Sequence, residues 1–584
     1  MNRKSGIILA VCALLLVLGA GVWYGFASGN RVEPNPAAPP ESPAAGDMNT
    51  AAVETNVVLA ETGFAVSGTG AAASERTLTI TQGGTYRFSG SMEGGQIVVN
   101  ADGKDSVILI FNGMELSHTA SPVIYVENAG QTTLLLADGT ENTLKSGVEA
   151  ALSSADSEEN DAAGGTVYAR DDLFITGGGT LTVFGYLNNG IHTTNRLTID
   201  GGTLQITARN NALKGKDAVS ISGGSFTLNA GNDGIKADDT KGEGYGVILL
   251  SDGVFQIESG GDAIQAETRL EITGGDYTIR TGGGSETAAP HYDGGWGGWG
   301  RPDSNWDLED ENEPSTKGLK SGGTLEITGG TFTLDCRDDA LHSNGAMVID
   351  GGDFTIASGD DGIHAETELS FLNGKLLITG AYEGIEANQL LIGGGEITLT
   401  AADDGLNAFG GRGGWGSAKR TDETPVIRIT GGSIRVNADG DGLDSNGSIF
   451  VEDGTVLIDG PSDHWNGAID IGTENGGVCE ISGGTVLALG SSGMAESFGS
   501  GSEQCSFRHN FSESFREGDR VTVTALDGTL LLEHTAVKSG NSVVFSCPQL
   551  SMGETYRLTA GTLTAEIVLN AVSTLSGASS GRRW

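Results

Sequence analysis

"VIDGGDFTIASGDDGIHAETELSFLNG" (residues 348–374) decides the fold. From Ile349 to Ile356 it carries the phrase apolar-x-Gly-Gly-x-apolar-x-apolar, which recurs in TIDGGTLQI (198–206), SISGGSFTL (220–228), EITGGDYTI (271–279), EITGGTFTL (326–334), RITGGSIRV (428–436) and EISGGTVLAL (480–489). Between neighbours the common step is 22 residues, as from Gly201 to Gly223 and from Gly329 to Gly351. The next step lands on Asn373, a side chain that tolerates positive φ in place of glycine. A fixed period of this size is the signature of a solenoid.

Apolar residues alternate within a unit, Leu197 with Ile199 and then Leu204 with Ile206, and only a strand puts each pair on one face. The glycines between them permit the positive φ of a sharp corner. Helix signals are nearly absent. Each unit therefore reads as two or three short strands, one coil of a parallel β-helix whose successive coils pair side by side. Neither the Leu-x-x-Leu-x-Leu pattern of leucine-rich repeats nor a nine-residue calcium-binding repeat is found. Alternating strands at 83–118 read as capping coils, and the longer spacings mark insertions at 283–317 and 409–424. Beyond about residue 505 the repeat stops. Residues 506–574 read as a small β cap that closes the open strand edges, followed by a tail at 575–584.

Ninety-five glycines against 12 prolines suit one repetitive architecture over residues 59–505 better than several separate domains. The formal charge of −43 argues against nucleic acid and anionic lipid as partners and favours cations, or ligands reached through cations. At the N-terminus, Arg3 and Lys4 precede an uncharged run from Ser5 to Ser28. A run of ~20 apolar residues can span a bilayer, while Gly25 and Ala27 suit a cleavage site, so residues 1–28 read as a membrane anchor or a signal peptide. Both readings place the rest outside the cytoplasm, after a flexible spacer at 29–58. Cys336, Cys479, Cys505 and Cys547 lack CxxC spacing, which argues against zinc. Cys505 and Cys547 could pair in an oxidising compartment, but a set this sparse equally suits buried free thiols.

Each coil carries a second phrase, [Asn/Asp/Gly]-[Asn/Asp]-[Gly/Ala]-[Ile/Leu]: Asn188-Asn189-Gly190-Ile191, Asn210-Asn211-Ala212-Leu213, Asn232-Asp233-Gly234-Ile235, Gly261-Asp262-Ala263-Ile264, Asp338-Asp339-Ala340-Leu341, Asp360-Asp361-Gly362-Ile363, Asp403-Asp404-Gly405-Leu406 and Gly440-Asp441-Gly442-Leu443. Equal periods stack equivalent residues about 4.8 Å apart. Two unit charges ~5 Å apart repel by roughly 3 kcal/mol at an effective dielectric of about 20. Stacked carboxylates therefore need full solvation or a cation. Calcium suits the position because it accepts mixed carboxylate and carbonyl oxygens with flexible geometry. Asp238, Glu267, Asn344 and Glu366, four residues after the small residue, and Asp444, two after it, add oxygens. For the Asn-Asn coils the plainer reading is local satisfaction of turn backbone; for the doubled Asp coils it is calcium.

The position after the apolar residue holds His192, Lys214, Lys236, Gln265, His342, His364, Glu386 and Asn407, a mixture that reads as a solvated face. Lys236 or Lys320 beside a calcium-bearing corner is the one catalytic arrangement hinted at, a Brønsted base. The insertions carry exposed-type aromatics, Tyr292, Trp296, Trp299 and Trp306 in the first and Trp415 in the second. Two readings stand for them: platforms for the apolar face of a sugar ring, or incidental residues of glycine-rich loops.

Taken together, "GGTYRFSG" near the start, the "TGGTFTL" and "DDGIHAE" coils, the Gly-Trp insertions and the terminal "GMAESF" and "SEQCSF" followed by a β cap resemble a family of bacterial cell-surface carbohydrate-binding proteins, over about residues 59–570. The resemblance implies a right-handed β-helix related in fold to pectate lyases, calcium in the turns, and binding of plant cell-wall polysaccharides, acidic ones included. Carried over by position, it implies metal roles for Asp338, Asp339, Asp360, Asp361, Asp403, Asp404, Asp441 and Asp444, to which the corner pattern adds Asp233, Asp238 and Glu366. Tyr382 and Glu383 depart from the pattern and break the column. The expected function is non-catalytic, calcium-dependent polysaccharide binding by a monomer at the cell surface. A polysaccharide lyase ranks second, because "GDGLD" (440–444) lacks the first Asp of the lyase motif Asp-Asp-Gly-apolar-Asp. An adhesin or structural stalk ranks third.

Overall fold

The computed structural model describes residues 55–149, 164–290, 314–410 and 424–578. The N-terminal apolar run and the aromatic residues Tyr292, Trp296, Trp299, Trp306 and Trp415 lie outside them. Nearly every described element is a strand, with 3-10 turns at Ser285–Thr287 and Thr473–Asn475. Most strands join one large mixed sheet in which parallel pairs connect each coil to the next.

Each coil contributes to three parallel ladders. The first is built of short strands, in which Leu213, Ile235, Ile264, Leu319, Leu341, Ile363, Ile385, Leu406 and Leu443 stand in register. A second runs through Leu270, Leu325, Met347, Leu369, Leu390, Ile427 and Ile449. The third stacks Phe226, Phe255, Tyr277, Phe332 and Phe354. Strand Met347–Ser358 bends at its glycine pair, so its two halves belong to different ladders; Gly352, at φ +96°, takes a conformation that side chains disfavour.

The core is the narrow interior between the ladders. Alternation buries every second side chain, and stacking sets like against like. The aromatic rings of the third ladder lie parallel with centroids 4.5 to 4.8 Å apart, the spacing of hydrogen-bonded strands. Each fully buried Leu, Ile or Phe contributes about 2 kcal/mol. Insertions leave the register intact: Ile264 pairs with Leu319 across the first, and Leu406 with Leu443 across the second.

Both ends depart from the coil pattern. Strand Thr55–Ala60 starts inside the segment read as spacer, shortening it; it pairs antiparallel with Gly63–Ser67 and parallel with Gly84–Met92. At the other end Gly540–Ser546 runs antiparallel to both Thr485–Gly490, the last coil strand, and Ser506–Phe515. Strand Ser573–Gly577 pairs with Ser506–Asn510 and so carries the ordered structure past residue 574. A four-stranded antiparallel sheet of Leu530–Thr535, Arg520–Ala525, Thr555–Ala560 and Leu563–Val568 completes this end, over its own core of Phe507, Phe545, Val521 and Leu558. The four described cysteines are free thiols, Cys505 and Cys547 included.

Candidate functional site

The acidic phrase occupies the corner that leads into the short strands, and the short-strand register makes it a column. Its second position reads Asn189, Asn211, Asp233, Asp262, Lys317, Asp339, Asp361, Glu383, Asp404, Asp441 and Gly467. At most steps of the column a side-chain oxygen of one rung accepts the backbone N–H of the next. Asn189 Oδ1 accepts from Asn211 at 3.1 Å, Asn211 from Asp233 at 3.1 Å, Asp233 from Asp262 at 2.9 Å, Asp262 from Lys317 at 2.8 Å, Asp339 from Asp361 at 3.1 Å and Asp404 from Asp441 at 2.6 Å. These bonds run between coils, whereas the sequence suggested bonds within one turn. They explain why Asn and Asp both suit the slot: each supplies the oxygen that a buried N–H requires.

The second carboxylate oxygen is what differs along the stack. In the first half it meets a cation from the protein. Lys236 Nζ lies 2.8 Å from Asp233 Oδ2, Lys214 Nζ 2.9 Å from Asp238, and Lys320 Nζ 3.5 Å from Asp262. Lys317 bridges Asp338 at 2.7 Å and Asp339 at 3.0 Å. His342 Nδ1 stands 2.7 Å from Asp339 Oδ2, and His364 Nδ1 2.9 Å from Asp361 Oδ2, with the two imidazoles stacked at 5.0 Å. Glu366 approaches the far side of His364, 3.8 Å from Nε2. Burial works against the His364 cation, yet Asp361 and Glu366 hold its pKa well above the ordinary value.

The slot read as a solvated face is thus mostly interior. His192, Lys214, His342, His364 and Asn407 are buried. At three rungs a basic slot residue meets the acidic column residue three positions earlier: Lys236 with Asp233, His342 with Asp339 and His364 with Asp361. Sequence inspection also missed Lys317, which stands in the Asp slot itself. The signal was available, because Thr316-Lys317-Gly318-Leu319 keeps the corner phrase with Lys in place of Asp.

In the second half, among the described residues, no lysine or histidine pairs with Asp404 or Asp441. The slot holds Glu386, Asn407, Asp444 and Asp470 in register, with no lysine or histidine. Burial and the neighbouring Asp441, Asp444 and Asp403 push the Asp404 carboxyl well above the usual range. Burial likewise pushes Asp441 up to about 8, with Asp444 and Asp470 adding to it. Glu383 is raised by burial and by Glu386 and Asp361; its Oε2 accepts the Asn407 amide at 2.7 Å. Tyr382 stands between the Asp360 and Asp403 coils without breaking the backbone ladder, its N–H bonding to Asp360 O and its O to Asp403 N.

Among the described residues, three sets of ligand atoms lie within 4.8 Å of one another: Asp338, Asp339 and Asp360; Asp361, His364 and Glu386; and Asp404, Asp441 and Asp444. The first already holds the Lys317 ammonium, and the second an imidazole bonded to its carboxylate. The third consists of oxygen donors alone. Beside it the Oδ1 of Asn407, buried, accepts no hydrogen bond from the described residues. Asp404, Asp441 and Asp444 offer hard carboxylate oxygens of the kind calcium takes.

The chain is similar in part to proteins described as carbohydrate-binding. A "Carbohydrate-binding domain-containing protein" of Acetivibrio thermocellus is 36% identical over 135 residues, 23% of this chain and 46% of the relative. The alignment thus spans less than half of that relative's length. A solved structure described as the polysaccharide lyase-like protein from C. thermocellum, gadolinium derivative, is 34% identical and covers 38% of this chain and 90% of its own, with a TM-score of 0.36. Over residues 74–362, the chain matches the family described as "Carbohydrate-binding domain-containing protein".

Proposed function

We propose that the chain is a right-handed parallel β-helix that binds polysaccharide without cleaving it, in a calcium-dependent manner, at the bacterial cell surface. The carbohydrate-binding family match over residues 74–362 supports the ligand class. The observation that carries the calcium reading is the exchange along one column. Lysine or histidine contacts the column carboxylates Asp233, Asp262, Asp339 and Asp361, whereas from Asp404 onward the slot holds Asn407, Asp444 and Asp470.

Asp404, Asp441 and Asp444 would hold the ion. Bound there, calcium would add positive charge among these half-buried carboxylates and would offer open coordination positions to sugar oxygens. The chain's own part is to hold the donors: Asp404 and Asp441 each spend one oxygen on the next coil's N–H, which orients the other. In the Asp338, Asp339 and Asp360 set, Lys317 already contacts Asp338 and Asp339, while burial and the neighbouring Asp361, Asp339 and Asp338 push Asp360 up to about 9. Signal or anchor residues 1–28 would place the stack outside the cell, as a monomer.

The lyase alternative asks for a neutral lysine. Burial lowers Lys236, but Asp233 more than offsets this and raises it above the ordinary value, so it stays protonated and is a poor base. Lys320 is drawn toward Asp262.

The test is retention on immobilised polygalacturonate and on cellulose, in calcium and in chelator, with ultraviolet absorbance monitored for unsaturated products. Calcium-dependent retention without new absorbance is expected. Equal retention in chelator would remove the calcium reading, and appearance of absorbing products would establish the lyase.

A further inference from the structure

Two of the thiols stand opposite one another at the capped end. Strand Ser506–Phe515 runs antiparallel to Gly540–Ser546 with Ser506 opposite Ser546 and Phe507 opposite Phe545, and the same register carried one residue further sets Cys505 opposite Cys547. The two segments have not parted at that point: the Ser546 hydroxyl donates to the Cys505 carbonyl at 2.7 Å and accepts the Gln504 amide at 2.8 Å. Alternation puts both cysteines on the face that carries Phe507 and Phe545, whose ring centroids lie 5.6 Å apart. Accordingly Cys547 belongs to the core of this end and Cys505 packs against it, whereas Cys336 and Cys479 lie in the core of the coils.

Opposed residues of an antiparallel pair stand about 4.5–5.5 Å apart at Cα, inside the range of about 4.4–6.8 Å that a disulfide spans. Cys505 immediately precedes one strand and Cys547 immediately follows the other, so the backbone on both sides is free to adjust to the remaining geometry of the bond. Access differs between them: Cys505 is half-buried and Cys547 is buried. Their position has a consequence for the whole stack. Gly540–Ser546 also pairs with Thr485–Gly490, the last coil strand, so whatever ties Ser506–Phe515 to it holds the strand that covers the open edge of the solenoid.

We infer that Cys505 and Cys547 are an oxidisable pair whose intrachain disulfide clasps the C-terminal cap over the last coil. The oxidant is a molecule that itself carries a disulfide. The Cys505 thiolate, the more accessible of the two, attacks one sulfur of that disulfide and the other sulfur leaves as a thiol. The Cys547 thiolate then attacks the Cys505 sulfur and expels the second thiol, so that two cysteine thiols are oxidised and one oxidant disulfide is reduced to two thiols. The bond closes a loop that carries Arg520–Ala525 and Leu530–Thr535, half of the four-stranded sheet, and removes that loop's freedom from the unfolded cap. The inference does not depend on the proposed polysaccharide binding.

The experiment treats the full chain, purified in reductant, with glutathione disulfide, blocks the remaining thiols by alkylation and maps the product without reduction after cleavage at glutamate. One fragment pair joining Cys505 to Cys547 is expected, lighter by two hydrogens than the two thiol fragments together. Hydrogen exchange across Gly540–Ser546 should slow about tenfold or more relative to the reduced chain, and reductant should reverse both changes. Cys505→Ser, which nearly keeps the size of the side chain, should exchange like the reduced wild type and show no slowing after the same oxidation. Glutathione retained on Cys505, alkylation of both thiols, or either cysteine joined to another partner would overturn the pairing. The bond without slowed exchange would overturn the clasp.

Discussion

Lys317 Nζ lies 3.0 Å from Asp339 Oδ2, and each side chain is only 4% exposed. The lysine stands one rung before the aspartate in the same column, at the C-terminal stem of the first insertion. Burial alone would raise the Asp339 carboxyl, yet Lys317, with His342 and His364, holds it well below the usual carboxylate range. Lys317→Met should therefore strip Asp338 and Asp339 of their shared ammonium, leaving Asp339 to its imidazole neighbours, and cost about 3–5 kcal/mol in urea denaturation. A loss under about 1 kcal/mol would mean that water already screens these carboxylates. If Asp338, Asp339 and Asp360 can also ligate calcium, the ion should restore part of the stability of this variant.

Asp441→Asn separates structure from ion binding. The amide keeps an oxygen for the Gly467 N–H but removes a charge from the Asp404 and Asp444 cluster. In chelator the variant should melt at or above the wild-type temperature. In calcium it should lose the wild-type gain, which is about 2.7 kcal/mol at a free ion concentration of 100 times Kd. Thermal melts of both proteins in both buffers decide the point; an intact calcium response would place the ion elsewhere.

The same cluster sets a pH dependence. Asp404 is raised well above its unfolded value and Asp441 up to about 8, so the ion-free folded chain binds more protons than the unfolded one through this interval. Their contribution to stability is present below the unfolded carboxyl pKa and is lost as pH rises toward the folded values. Melting temperature in chelator should accordingly fall between about pH 4 and pH 8. Calcium should oppose the fall, with a larger stabilisation at pH 8 than at pH 5, because the ion competes with those protons. Equal calcium shifts at both pH values would show that these carboxyls are not its ligands.

In the aromatic ladder, Phe332 lies between Tyr277 at 4.8 Å and Phe354 at 4.5 Å. Phe332→Ala opens a cavity that rigid neighbouring coils cannot close, and should cost about 3–5 kcal/mol by denaturant unfolding. Phe332→Leu keeps most of the apolar volume and should cost clearly less.

Capping is the remaining structural test. Asn211 Oδ1 accepts the buried N–H of Asp233, and its own amide donates to Asn189 Oδ1 at 2.9 Å. Asn211→Ala should cost about 1–3 kcal/mol, because it leaves the Asp233 N–H without its acceptor. A neutral outcome would show that water substitutes in this corner.

Much of the coil architecture was legible because period and parity are local. In EITGGTFTL, alternation alone assigns Phe332 and Leu334 to the interior, and the 22-residue step then brings Phe354 onto Phe332. The acidic column was legible for the same reason. Its neutralisation was not. His342 and His364 look solvent-facing when the slot is compared across coils, and only packing shows each imidazole against the carboxylate three residues earlier.

What the sequence by itself determined is which residues share a column, since a repeated strand period carries equivalent positions to the same face on every coil. Only the tertiary structure decided which carboxylates in that column have a cation of their own. An ion pair depends on where side chains from adjacent rungs and from the ends of insertions meet, as Lys317 meets Asp339, and chain spacing alone does not encode that.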